Sequence, residues 1–164
     1  MRDLKILPKA DLHCHLEGSA RPSTIDELAD KYGIEVGDTQ NFHDLPSFLD
    51  RYDDARSVIC SIEDLERIAV EFLEDQIASG SVYCEPDWAP HFYTDLEGLD
   101  SQDEDAKIEE VFSRVNSAME SASHRTGVLF GHSIGARRGD PVLAVKIAHF
   151  AVTHRKDNVV SFGY

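Results

Sequence analysis

The sequence has few basic residues and no long apolar run. Its 164 residues include 16 Lys and Arg against 31 Asp and Glu, which gives a formal net charge of −15. A chain this acidic lacks the electrostatic footprint of a nucleic-acid-binding protein, and anionic membranes repel it for the same reason. No apolar stretch is long enough to span a bilayer. We therefore expect neither nucleic acid nor a membrane among its partners.

Cysteine is also scarce. Cys14, Cys60 and Cys84 are an odd number and lack Cys-x-x-Cys spacing, which argues against a disulfide scaffold and a cysteine-rich zinc site. The opening residues do not resemble a signal peptide, so we expect a cytoplasmic location. No glycine-rich phosphate loop of either common type is present, so nothing supports a nucleotide cofactor.

The most informative segment is KADLHCHLEG at 9–18, which follows an apolar stretch and is typical of a strand end. Side chains alternate between the two faces of a strand, so we predict that Asp11, His13 and His15 share one face. Two imidazoles at this spacing can hold one metal ion, and imidazole is a common zinc ligand. A surface histidine pair without function is the alternative interpretation. Gly18 then allows a sharp turn or a close backbone approach.

Strand and helix patterns alternate along the rest of the chain. Helices are predicted from Ser23 or Thr24 to Gly33, within LPSFLDRYDDARSVI, from Ser61 to Ser79-Gly80, from about Glu104, and from Asp140-Pro141. Further strands are predicted at Ser81–Glu85, Gly127–Ile134 and Val159–Phe162, and a flexible acidic loop at Thr94–Asp105. This order favours a parallel sheet wrapped by helices in a single α/β domain over 1–164. Four strands are half of an eight-stranded barrel, which typically takes about 250 residues.

Five segments resemble, in order, the adenosine deaminase family of the amidohydrolase superfamily. They are LPKADLHCHLEGSARPSTIDELADKYGI, LPSFLDRY, RIAVEFLEDQIASGSVYCEPDWAPHFY, ARRGDP and VVSFG. The resemblance covers nearly the whole chain. It implies a TIM-type (β/α)8 metal-dependent hydrolase barrel, of which residues 1–164 form the N-terminal half, about the first four β/α units.

The resemblance also implies a ligand set. One Zn²⁺ is expected per complete site, with His13 and His15 as two of its ligands. The substrate-binding residues implied are His15, Glu17, Gly18, Phe48 and Tyr52, where Glu17 contacts the nucleoside sugar and the two aromatic residues belong to a lid helix. Core packing is the alternative interpretation of that aromatic pair.

The family's remaining zinc ligands and its catalytic glutamate belong to the second half of the barrel. No catalytic residue is therefore expected within this chain, and we expect the chain alone to have little activity. Many adenosine-specific members have aspartate at the position of Glu17, so the substrate stays open between adenosine, adenine and related aminopurines.

One segment departs from the family pattern. Glu85 is followed by Pro86-Asp87, where the family usually has an aliphatic residue and then arginine. His91 is interpreted as structural or exposed. Four further histidines lie in predicted helices or strands without partners and are interpreted as non-ligands: His124, His132, His149 and His154.

The function implied is zinc-dependent hydrolytic deamination of a purine nucleoside or base, in purine salvage. A carboxylic acid protonates the ring nitrogen, activated water attacks the carbon that bears the amino group, and ammonia leaves. Two alternatives stay open. One is a metallophosphoesterase with a DLHxH strand; the other is a non-catalytic interaction module that self-associates or pairs with a complementary half-barrel.

Overall fold

The computed structural model describes residues 6–37, 41, 43–137 and 139–163. Within these ranges the helices are α1 Pro22–Tyr32, α2 Leu45–Ser57, α3 Ile62–Ser79, α4 Glu104–Thr126 and α5 Pro141–Thr153. The strands are β1 Lys9–His15, β2 Ser81–Trp88, β3 Leu129–Phe130, β4 His132–Gly135 and β5 Val159–Gly163. Short 3-10 turns lie at Glu17–Ser19 and Pro90–Phe92. No helix among the described residues is both long and apolar enough to cross a membrane.

All the described strands join one parallel sheet in the order β1-β2-β4-β5, with β3 also pairing with β2. β3 and β4 are two parts of one strand position, interrupted at Gly131. A Cβ at Gly131 would lie 2.6 Å from Val160 Cγ1 and 2.9 Å from the Tyr83 hydroxyl, so glycine is needed where these strands approach. The third predicted strand lies where expected, but it is interrupted and forms β3 and β4. Four sheet positions joined by helices confirm the predicted α/β half-barrel.

The helices cover one face of this sheet. Alternate residues of β2, Cys84 and Trp88, are buried in the core together with Ile134 and Val159 of the neighbouring strands. The residues between them, among them Tyr83 and Asp87, therefore face the opposite side. That side, called here the concave face, carries the exposed Leu129, which pairs in register with Tyr83.

Local signals account for most helix ends. The predicted cap at Ser61 is confirmed, because its hydroxyl accepts from Asp64 N–H while the Asp64 carboxylate accepts from Ser61 N–H. Asp140 caps α5 through Leu143 N–H. Gly33 ends α1 at a φ of 65°, a left-handed conformation that favours glycine.

The predicted start of α1 is wrong. Neither Ser23 nor Thr24 is the cap: the N-cap is Arg21, without a side-chain bond, and Pro22 is the first helical residue. Thr24 is buried, and its hydroxyl donates to Glu71 Oε2 of α3 at 2.6 Å. A tertiary contact therefore uses the hydroxyl that local sequence suggested as a cap.

Strand β2 continues to Trp88, three residues beyond the predicted end at Glu85. Pro86 pairs with Cys14 at the point where the register between β1 and β2 shifts. Proline lacks an N–H donor and is tolerated in strands at such irregularities.

The acidic loop is tied to the helices rather than free. Glu97 forms a parallel bridge with Ser61, and its backbone bonds Cys60 and Ile62. The Glu110 carboxylate of α4 accepts from Asp100 N–H and Ser101 N–H, at 2.8 Å each. The expectation of a flexible loop is therefore not supported.

Candidate functional site

The carboxyl end of β1 places the two histidines side by side. The ring centroids of His13 and His15 lie 5.3 Å apart in an edge-to-face arrangement, and both side chains are exposed. The structure thus brings together the pair that the spacing predicted. Active sites of barrels of this type form at the carboxyl ends of the parallel strands.

Asp11 does not join them, contrary to the prediction. It pairs with Cys84, and its carboxylate accepts from Gln76 Nε2 of α3 at 2.9 Å. The register shift between Asp11 and Cys14 breaks strict alternation, so Asp11 lies on the helix-covered side of β1.

Two adjacent imidazoles fit part of a tetrahedral zinc site, which usually has three or four protein ligands. Among the described residues, no group of three or more His, Cys, Asp or Glu side chains is arranged to hold a metal. His13 and His15 therefore fit the group as a partial ligand set.

Helix α2 forms an aromatic wall beside the pair. The Tyr52 ring centroid lies 5.9 Å from that of His15 and 6.1 Å from that of Phe48. A cavity of about 510 Å³ is lined by these rings together with His13 and Gly18. A Cβ at Gly18 would lie 3.2 Å from Tyr52 Cε2, so glycine lets the ring close over the strand end. Phe48 is partly exposed rather than buried in the core.

Glu17 is buried at 3 % exposure directly below this wall. The Tyr93 hydroxyl donates to Glu17 Oε1 at 2.8 Å, and the Tyr52 hydroxyl lies near the same carboxylate. Burial raises the pKa of Glu17 above its ordinary value, although the tyrosine hydroxyls partly offset this. Oε2 is buried without a well-formed hydrogen bond within the described part of the chain. The carboxylate therefore retains an acceptor position.

Glu17 also lines a second cavity of about 290 Å³. His15, Trp88, Tyr52 and Arg137 also line this cavity. The surface of this cavity is mainly apolar with few polar groups, as is usual for small-molecule sites.

Sequence reasoning missed the role of Asp87. It pairs in register with His15 on one side and with Ser133 on the other. Asp87 Oδ1 lies 3.9 Å from His15 Nδ1, and Asp87 Oδ2 accepts from the Ser133 hydroxyl at 2.7 Å. The departure from the family's arginine was the only sequence signal at this position.

Another histidine, His132, is fully buried with both ring nitrogens bonded. Trp88 Nε1 donates to His132 Nδ1 at 3.1 Å, so Nε2 carries the proton and donates to Asn116 Oδ1 at 3.2 Å. Burial lowers the pKa of His132 to about 3. This arrangement agrees with its interpretation as a non-ligand.

Two other histidines, His154 and His91, contact neighbouring side chains. The His154 ring contacts the carboxylates of Glu109 and Asp157. The His91 ring lies 4.4 Å from the ring of Phe92.

Comparison with known proteins finds the same family along the chain. The family described as adenosine deaminase matches residues 8–164. An adenine deaminase of Chelativorans sp. is 31% identical over 175 residues, covering 96% of this chain and 48% of the relative. An adenosine deaminase of Enterococcus faecalis is 28% identical, covering 95% and 48%.

Solved structures show the same relationship. An amidohydrolase from Burkholderia ambifaria with bound zinc superimposes with a TM-score of 0.70 at 26% identity, covering 98% of this chain and 44% of that protein. The chain spans about half the length of the relatives it matches.

Proposed function

The chain belongs to the adenosine deaminase family, and on that basis we propose that it supplies the first half of a zinc-dependent aminopurine deaminase site. The observation that carries the proposal is the adjacency of His13 and His15 at the wall of an aromatic-lined cavity. Relatives named adenosine deaminase and adenine deaminase both match, so the substrate class we propose is a 6-aminopurine base or nucleoside.

In this proposal, His13 and His15 hold the metal through ring nitrogens. Zinc, when bound in such a site, activates water as a nucleophile at neutral pH. The imidazoles must be neutral to act as ligands, because a protonated ring nitrogen has no lone pair for the metal. The other ligands implied by the resemblance belong to the half of the relatives that this chain does not span.

Phe48 and Tyr52 would bind the purine. Flat aromatic rings beside a cavity provide stacking surface for a heteroaromatic base, and such contacts exclude water from it. Phe48 is 38% exposed at the cavity wall, which favours this role over simple core packing.

Glu17 would accept from the substrate. Its Oε2 is a buried acceptor without a well-formed bond among the described residues, and buried polar groups of this kind require a partner. A ribose hydroxyl or a ring N–H of a base would satisfy it. This agrees with the sugar contact that the family resemblance implies for this position.

Zinc binding by matched variants tests the metal half of the proposal. Equilibrium dialysis against Zn²⁺ compares the wild-type chain with His13→Ala/His15→Ala and with His149→Ala, whose side chain is exposed on α5. We expect the pair variant to lose the bound zinc and His149→Ala to retain it. Equal zinc content in all three proteins would contradict the proposal.

A further inference from the structure

The concave face carries a carboxylate whose position follows from strand register. His15 pairs with Asp87, and Asp87 pairs with Ser133, so three neighbouring strands present these side chains in one row near the carboxyl edge of the sheet. In parallel strands, residues in register present their side chains on the same face. This row lies beside the cavities described above.

Asp87 is largely buried and is oriented by one hydrogen bond. The Ser133 hydroxyl donates to its Oδ2 at 2.7 Å, and its side chain is only 15% exposed. Gly135 and Gly163 leave space beside it, since a Cβ at these positions would come 3.4 Å from Oδ1 and 3.5 Å from Oδ2, respectively. The hydrogen bond from Ser133 therefore orients the carboxylate, with Oδ1 on the side of His15.

The remaining oxygen of this carboxylate faces His15. Asp87 Oδ1 lies 3.9 Å from His15 Nδ1, which is longer than a direct hydrogen bond but close enough for electrostatic attraction. A carboxylate on one side of an imidazole favours the proton on the nearer nitrogen. The opposite nitrogen, Nε2, then keeps its lone pair.

We propose that Asp87 is a positioning residue for His15, which holds the proton of that imidazole on Nδ1 and leaves Nε2 as the metal-binding atom. Carboxylate partners fix the tautomer and ring orientation of metal-ligating histidines in many proteins. The part of this inference that concerns metal binding rests on the proposed function. The part that concerns the proton does not.

The sequence context agrees with this role. Family members usually have arginine at this position, a longer side chain of opposite charge. Aspartate reverses the sign of the charge beside His15. The Ser133 hydroxyl orients the aspartate side chain.

The first measurement is the imidazole tautomer. Long-range proton–nitrogen NMR spectra of the chain labelled with ¹⁵N-histidine, at pH 8.5 where ordinary imidazoles are neutral, distinguish Nδ1–H from Nε2–H. His15→Gln assigns the signal. We expect Nδ1–H in the wild type. We expect a shift toward Nε2–H in Asp87→Asn, since Ser133 holds the amide oxygen and turns the amide N–H toward His15.

Two further variants serve as a control and as an intermediate case for the tautomer measurement. Glu85→Gln is the matched control, because Glu85 lies two residues earlier on the same face and accepts from Tyr83 rather than contacting His15. It should leave the His15 tautomer unchanged. Ser133→Ala keeps the charge but releases the carboxylate, and it should move the tautomer part of the way. An unchanged Nδ1–H signal in Asp87→Asn and Ser133→Ala would overturn the proposal.

Zinc affinity is the second measurement, made by competition with a chromophoric chelator. We expect Asp87→Asn to weaken Zn²⁺ binding about 10-fold or more, and Glu85→Gln to change it less than about 2-fold. If Asp87→Asn shifts the tautomer but neither the wild type nor any variant binds zinc, the positioning role stands and the proposed function fails. If His15→Gln abolishes zinc binding while Asp87→Asn alters neither tautomer nor affinity, the positioning role fails and the proposed function stands.

Discussion

The Tyr93 hydroxyl donates a hydrogen bond to Glu17 Oε1 at 2.8 Å, across 76 positions of sequence. Glu17 follows β1 and Tyr93 follows the turn after β2, so the bond joins the carboxyl ends of two neighbouring strands. Both residues are buried. The contact holds the Glu17 side chain in place beside the aromatic wall of α2.

Removing this bond should destabilise the fold. Tyr93→Phe leaves the Glu17 carboxylate without its hydroxyl donor, and an unsatisfied buried acceptor costs about 1–3 kcal/mol. Urea denaturation followed by circular dichroism measures the loss. Tyr83→Phe is the control, because the Tyr83 hydroxyl donates to Glu85 at a partly exposed site and should cost less. Equal free energies of unfolding for both variants would contradict the assignment.

Glu17 should distinguish a nucleoside from a base. If its carboxylate contacts the sugar, Glu17→Gln weakens adenosine binding by several-fold and changes adenine binding little, because adenine has no ribose. Trp88, the single tryptophan, lines the same cavity and provides a fluorescence signal for both titrations.

The exposed Glu97→Gln is the matched control for that experiment and should bind both ligands as the wild type does. Equal weakening of adenosine and adenine by Glu17→Gln would assign Glu17 to the base rather than to the sugar.

His132 should make stability depend on pH. Its folded pKa is about 3, below the ordinary unfolded value of about 6.5, so between these values the unfolded chain binds more protons. Stability from this group is present above pH 6.5 and is lost as pH falls. We expect a loss of about 1 kcal/mol in unfolding free energy between pH 7 and 5.5.

Denaturation at several pH values tests this by comparing the free energy of unfolding of the wild type with that of two variants. His132→Gln should remove the part of the pH dependence of stability that His132 causes. His149→Gln, at an exposed position, should retain it. Glu17 titrates in all three proteins and cancels in the comparison. Identical slopes for wild type and His132→Gln would show that His132 is not held neutral.

The chain alone should not deaminate adenosine. Groups that act together at a metal centre are not additive, so a site with only His13 and His15 loses nearly all of its rate. An ammonia-release assay with added Zn²⁺ tests this against a protein-free blank. Ammonia release that His15→Ala abolishes would contradict the expectation and would mean that other residues complete the site.

The concave face should drive self-association or pairing with a complementary half-barrel. Leu129 is 65% exposed on that face, and β1 and β5 each pair on one side only among the described strands. Exposed apolar faces and open edges favour association. Light scattering should show species larger than a monomer, and Leu129→Asp should reduce them.

Val142→Asp is the control, since Val142 is 79% exposed on α5, away from the concave face. It should leave the association unchanged. A monodisperse wild-type monomer at micromolar concentration would show this expectation to be wrong.

Local sequence predicted much of the fold because its signals act over a few residues. Hydrophobic spacing and caps such as Ser61 and Asp140 located the helices, and alternation along β1 put His13 and His15 side by side. The start of α1 failed for a non-local reason: Thr24 bonds Glu71, 47 positions away.

The sequence by itself determined the order of strands and helices, the family and the histidine pair, since each depends on neighbours along the chain. The tertiary structure decided that Asp11 turns away from the pair, that Glu17 is buried under Tyr93, and that Asp87 faces His15. These relationships depend on register between strands and on which hydroxyl reaches a buried carboxylate. A shift of one residue in that register would move Asp11 and Asp87 to the other face of the sheet, and the register is set by contacts between strands that lie far apart in the sequence.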